Sequence, residues 1–116
     1  MNLKLRQILL ALGFSSLAMA DISSKCDAST AQFDTKDYPS HFAVQCGSLV
    51  WEHLDLNHCY LNQDGTLYYY KDGYAFNSYT YTDDNKQALL DRVVKDLELN
   101  ADGKPSCFGY DSYTMM

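Results

Sequence analysis

One polar phrase occurs twice in this chain, as Asn62-Gln63-Asp64-Gly65 and as Asn100-Ala101-Asp102-Gly103, the second beginning 38 residues after the first. Leucine-rich strings precede both: Leu54-Asp55-Leu56-Asn57 stands before one, and Leu97-Glu98-Leu99 runs directly into the other. A turn phrase repeated at such a distance is the mark of a duplicated unit. Two copies are too few for a solenoid, so the expectation is one domain with two pseudo-symmetric halves. Asn, Asp and Gly tolerate positive φ and satisfy their own backbone, so each phrase is expected to bend the chain sharply.

The N-terminus bounds that domain. Lys4 and Arg6 begin a basic stretch, Ile8 to Phe14 are apolar, and Ala18-Met19-Ala20 offers a small-residue cleavage site. That order reads as a secretory signal peptide over 1–20, with a mature domain over 21–116 that leaves the cell. The whole chain carries a net charge of −6, and removing Lys4 and Arg6 makes it more negative. An acidic domain lacks the basic surface that nucleic acid and anionic membrane require, so neither is expected as a partner.

Cys26, Cys46, Cys59 and Cys107 form an even set in a chain read as secreted, which predicts two disulfides and allows three pairings. Cys26–Cys46 with Cys59–Cys107 is favoured. The first closes a local loop, and the second ties the first phrase to the end of the second. No Cys-x-x-Cys pair occurs and the three histidines are poorly spaced, so no metal and no other cofactor is expected. Glu98-x-Asn100-x-Asp102-Gly103 opens like a calcium loop, but Gly109 stands where a bidentate Glu is needed.

Along the mature chain, Asp27 to Ser40 is polar, with Thr35 to Ser40 reading as a loop closed by proline, and Phe42 to Cys46 reads as a strand resuming at Leu49-Val50-Trp51. Thr66 to Tyr70 reads as a strand, Lys71-Asp72-Gly73 as a turn, and Tyr74 to Thr82 as a further half-buried strand. Leu89, Leu90, Val93, Val94 and Leu97 recur at helical spacing, so periodicity alone makes Gln87 to Leu99 an amphipathic helix. Ten tyrosines suit half-buried strands, and their rings also suit stacking on sugars or partner proteins.

Ser24-Lys25-Cys26, Phe42-Ala43-Val44-Gln45-Cys46, Leu54-Asp55-Leu56-Asn57 and Asn62-Gln63-Asp64-Gly65-Thr66-Leu67 follow one another as in the first repeat of the cyanovirin-N homology domain, which the chain resembles. The second repeat is similar in weaker form. Phe76-Asn77-Ser78-Tyr79 stands for its opening, Ala88 to Val93 for its strand, and Leu99 to Gly103 for its close, with Tyr79 and Val93 where cysteines would stand. The resemblance implies an all-β, two-repeat pseudo-symmetric domain with short 3₁₀ turns and two disulfides. It also implies that Gln87 to Val94 is a strand.

Family lectins hold mannose-type oligosaccharides in shallow hydrogen-bonding sites, one in each half. Carried over by position, one carbohydrate site would hold Lys25, Asn100 and Asp102, and the other Asn62, Asp64, Asn77 and Ser78. The resemblance thus implies a non-enzymatic lectin whose partner is an oligosaccharide or glycoprotein. The alternative is a secreted effector that uses the fold as a scaffold to engage a host or partner protein. Two departures bear on the sites. Seven residues separate Cys46 from Leu54 where the family carries a longer hairpin, and the second phrase is compressed. Carboxylates at Glu52, Asp55, Asp64 and Glu98 show no pairing for glycoside hydrolysis, and His41, His53 and His58 have no nucleophile beside them, so no catalytic residue is expected. A pseudo-symmetric chain can exist as a monomer or as a domain-swapped dimer.

Overall fold

The structure, a computed structural model, describes residues 21–33, 39–76 and 80–115. The signal peptide read over 1–20, the site residues Asn77 and Ser78, and most of the loop at Thr35–Ser40 lie outside these residues. Among the described residues, nine short strands, one α-helix and two 3₁₀ turns make a small, β-rich domain with two disulfides.

The first layer is an antiparallel sheet of β1 (Asp27–Phe33), β2 (His41–Gln45), β3 (Trp51–Asp55) and the late strand β9 (Tyr113–Met115), in that order. Alternation sets its faces: Phe42 and Val44 on β2 are buried, as are Glu52 and Leu54 opposite them on β3. Polar composition hides β1, whose residues the sequence marks only as polar. Between Asp27 and Gln32 its register slips against Gln45 and Ala43, and there the Thr30 hydroxyl accepts the Gln45 N–H at 2.9 Å. A side chain thus supplies the acceptor that backbone would provide in a regular ladder. The Cys26–Cys46 disulfide fastens the start of β1 to the end of β2.

Next comes a 3₁₀ turn at Leu56–His58, capped by the Asp55 carboxylate on the Asn57 N–H at 3.0 Å. It leads into the hairpin of β4 (Tyr60–Gln63) and β5 (Thr66–Tyr69). Leu67 and Tyr69 turn partly inward while Tyr68 faces water, as the alternation requires. Beyond β5 the chain folds back on the 3₁₀ turn. Tyr70, Asp72 and Tyr74 donate backbone hydrogen bonds to Cys59, His58 and Asn57 at 2.8, 2.9 and 2.8 Å. Asn57 also accepts the Phe76 N–H on its side chain at 2.8 Å. Gly73 passes so close to the Tyr60 carbonyl that a β-carbon would collide with it. The strand expected over Tyr74–Thr82 does not form among the described residues, because the N–H groups of Tyr74 and Phe76 are committed to Asn57 and not to a neighbouring strand.

The helix α1 (Lys86–Asp96) settles the ambiguous segment. Leu90, Val93 and Val94 are buried on one face, as the periodicity predicts, and α1 packs on β1 and on the 3₁₀ turn Ile22–Ser24. The strand that the family resemblance implies for Gln87–Val94 does not form. Leu97 then turns extended, still bonded to the Val93 carbonyl, and feeds β6 (Glu98–Leu99). With β7 (Pro105–Cys107) and β8 (Tyr110–Asp111) this makes a second, three-stranded sheet. Between the layers, Phe33 stacks on Tyr81 with centroids 4.4 Å apart and tilts against Phe76 at 5.4 Å, and Tyr60 meets Phe76 at 5.7 Å. The pairing of disulfides is the favoured one, Cys26–Cys46 and Cys59–Cys107.

Candidate functional site

Both repeated phrases are hairpin bends, built differently. In the first, Gln63 pairs with Thr66 across a two-residue turn with Asp64 at φ 53° and Gly65 at φ 85°. The Asn62 side-chain carbonyl accepts the Gly65 N–H at 3.0 Å. In the second, Leu99 pairs with Pro105 across a longer loop, and Asn100 accepts the N–H groups of Asp102 and Lys104 at 2.9 and 3.0 Å. Each asparagine therefore spends its oxygen on its own bend and keeps its two amide hydrogens for other partners.

The first bend forms one wall of a groove of about 440 Å³. Gly65, Thr66 and Leu67 lie on one side, Asn85 and Arg92 of the helix region on the other, and Thr80 also lines it. The walls are tied: the Arg92 guanidinium donates to the Leu67 carbonyl at 2.7 Å and to the Asp96 carboxylate at 3.3 Å. Its cationic carbon also sits 5.6 Å from the centroid of Tyr60. Tyr60 in turn donates to Asp96 at 2.7 Å. Burial first, and then this bond, push the ionisation of the Tyr60 hydroxyl far above its ordinary range. Asn85 holds the helix start by accepting the Thr82 N–H at 2.7 Å.

The sequence-derived sites fare unequally. Asn62 and Asp64 share one exposed bend at the groove's edge, while Asn77 and Ser78 fall outside the described residues. Lys25 is exposed, following the 3₁₀ turn Ile22–Ser24, and an isolated bridge from Asp21 to Glu98 sets that turn beside the strand leading to Asn100. Neither of the two cavities described here is lined by Lys25, Asn100 or Asp102.

Sequence reasoning missed the second cavity, a cleft of about 350 Å³. One wall carries Lys71, Asp72 and Tyr74, the other Phe108 and Tyr110, and Cys107 and His58 also line it. The His58 ring stacks on Tyr110 with centroids 3.6 Å apart, meets Tyr74 edge-on at 5.6 Å, and its Nδ1 lies 2.7 Å from the Asp72 carboxylate. Tyr110 ionises above its ordinary range through partial desolvation, then the Asp55 charge and Tyr74. Asp72, Tyr74 and Phe108 hold φ values of 53°, 51° and 51°, a left-handed backbone that bulky residues rarely adopt. The only signal in the sequence was the Lys-Asp-Gly turn, which marked a bend and not a wall.

Among the described residues, no group of three or more His, Cys, Asp or Glu side chains is arranged to hold a metal ion, and no helix is long and apolar enough to cross a membrane. Compared with known protein families, curated proteins and solved structures, the chain finds no match.

Proposed function

We propose that this chain is a secreted, non-enzymatic carbohydrate-binding domain that takes a mannose-type oligosaccharide in the groove between the Asn62–Gly65 bend and α1. The observation that carries the reading is the composition of that groove. Its rim combines the hydroxyls of Thr66 and Thr80 with the amide of Asn85, and the bend that Asn62 caps adjoins it through Gly65. Donors and acceptors mixed at this density suit vicinal hydroxyls. A two-repeat origin of the cyanovirin-N type belongs to the same proposal. It is supported by two Asn-x-Asp-Gly hairpins joined through Cys59–Cys107, and α1 is where the second half departs from it. Secretion rests on the basic-then-apolar start of the sequence and on two disulfides, which persist in oxidising compartments.

Asn62 separates the turn from the ligand. Asn62→Asp keeps the oxygen that accepts the Gly65 N–H but removes both amide donors. On a mannose-type glycan array, using protein with both disulfides verified by mass, Asn62→Asp is expected to lower retention about tenfold with the melting temperature little changed. Retention equal to the parent's would move the sugar away from this bend.

A second reading has its own observation. Tyr68 and Tyr70 are 48% and 56% exposed beside the hairpin, and Leu49 is 78% exposed at a bend with φ 60°. Exposed aromatics of this kind suit a protein partner. A folded chain that ignores every glycan while capturing a host protein through Tyr68 and Tyr70 would make it an effector on the same scaffold.

A further inference from the structure

The geometry points to a second sugar site, in the cleft of His58, Asp72, Tyr74 and Tyr110: a pyranose ring packed by its C–H face on Tyr74 and hydrogen-bonded by Asp72 and Lys71. It rests on the carbohydrate reading above but on none of the residues that support the groove.

Three observations converge. The first is rigidity. The wall from Tyr70 to Tyr74 is laced to Asn57, His58 and Cys59 by three backbone hydrogen bonds, and Gly73 fits flush on the Tyr60 carbonyl. The opposite wall, Phe108 to Tyr110, springs directly from Cys107, whose disulfide to Cys59 ties it to that same 3₁₀ segment. A site built this way loses little freedom on binding.

The second is strain without a packing return. Tyr74 is 66% exposed yet held at left-handed φ, whereas Phe108, also at left-handed φ, rests its ring on Tyr69 with centroids 4.5 Å apart. Such a conformation is costly at a bulky residue, and the Tyr74 side chain, left largely in water, gives little of it back. Holding the Tyr74 ring out at the lip of a cleft is the arrangement of a binding wall.

The third is chemistry. Lys71 and Asp72 put one cation and one anion at the rim, so the local balance suits an uncharged ligand and not an ion. His58 already fills one face of Tyr110 and one oxygen of Asp72, which fixes both groups. Tyr74 touches His58 only edge-on, so the pair does not stack. The slightly positive C–H face of a pyranose complements an aromatic face, and its hydroxyls need both donors and acceptors nearby. A volume of about 350 Å³ lies at the small end of ligand sites, the scale of one or two sugar rings.

The test titrates four methyl glycosides, of glucose, galactose, mannose and N-acetylglucosamine, into the full disulfide-bonded chain. Binding is read by magnetisation transfer from the aromatic protons to the sugar. At least one glycoside should bind with transfer concentrated on one ring face. Tyr74→Gly should weaken it about tenfold while raising or preserving the melting temperature, because glycine adopts the left-handed backbone freely. A purely structural tyrosine would not separate those two readouts. The transfer that survives in Asn62→Asp should be the part that Tyr74→Gly removes. If Tyr74→Gly fails to fold, Tyr74→Asn, which also tolerates left-handed φ, carries the same test. Undiminished binding by the Tyr74 variants, with loss in Asn62→Asp, overturns the cleft and leaves the groove standing. No transfer from any glycoside to the parent chain, together with a blank glycan array, overturns both.

Discussion

Three asparagines in the leucine-rich phrases look alike in sequence and act differently in the fold. Asn57 anchors a distant loop through both its backbone carbonyl and its side chain, whereas Asn62 and Asn100 each cap the bend they start. In the first phrase these tasks fall on two residues five apart, and in the second one residue remains. The shorter second phrase thus carries no anchor of this kind, a difference that the sequence could not reveal because turn residues look alike whichever way their side chains bond. A buried polar contact shows the same limit. Glu52 is 2% exposed on β3 and accepts hydrogen bonds from Ser112 at 2.7 Å and from Thr114. Ser112→Ala should therefore cost about 1–3 kcal/mol in urea denaturation and speed amide exchange at Tyr113–Met115, since it strips a buried carboxylate of one donor. Unchanged exchange there would mean that β9 is held by its ladder alone.

At the scale of elements, strands of strong alternation and the helix of strong period were legible, and elements defined by partners were not. β2 and β5 were readable from aromatic and β-branched residues, and α1 from the spacing of Leu90, Val93 and Val94. β1 was not, because its strand character comes from β2 and from Thr30 standing in for backbone. The groove was half legible, since the Asn62 bend announces itself while the helical wall opposite it depends on packing. The aromatic cleft was opaque: its two walls lie 34 or more residues apart, joined by a disulfide that sequence leaves as one of three pairings. The two bridges should also differ in weight. Replacing Cys59 and Cys107 by serine closes off a 48-residue constraint and is expected to cost about 4 kcal/mol, against about 3 kcal/mol for the 20-residue Cys26–Cys46 loop, in the chain-entropy account. Thermal unfolding of the two double variants measures the order, and an inverted order would place the decisive bridge in the first sheet.

For the whole molecule, the buried tyrosines set an alkaline limit. Tyr60 is held neutral by burial and by its bond to Asp96, and Tyr69 by burial and by the charges of Glu98 and Asp96, so both ionise well above the ordinary 10.0 in the fold. Below about pH 9 both states of the chain keep these hydroxyls protonated, and they add no pH dependence. Above about pH 10 the unfolded chain sheds protons that the folded chain retains, so stability falls as pH rises. Denaturation followed from pH 7 to 11 should show a plateau and then a decline, and Tyr60→Phe should flatten part of it. A curve that stayed level to pH 11 would mean that these hydroxyls reach solvent.

The Cys59–Cys107 bridge also governs what a proteolytic nick could do. Thr82 to Asn85 is exposed and lies between the two bridged cysteines, so a cut there leaves both fragments on one covalent body. The severed pieces would still present Tyr74 and Tyr110 across the same gap. Such a molecule would migrate as a single species until a reductant reached it, and only then fall into halves.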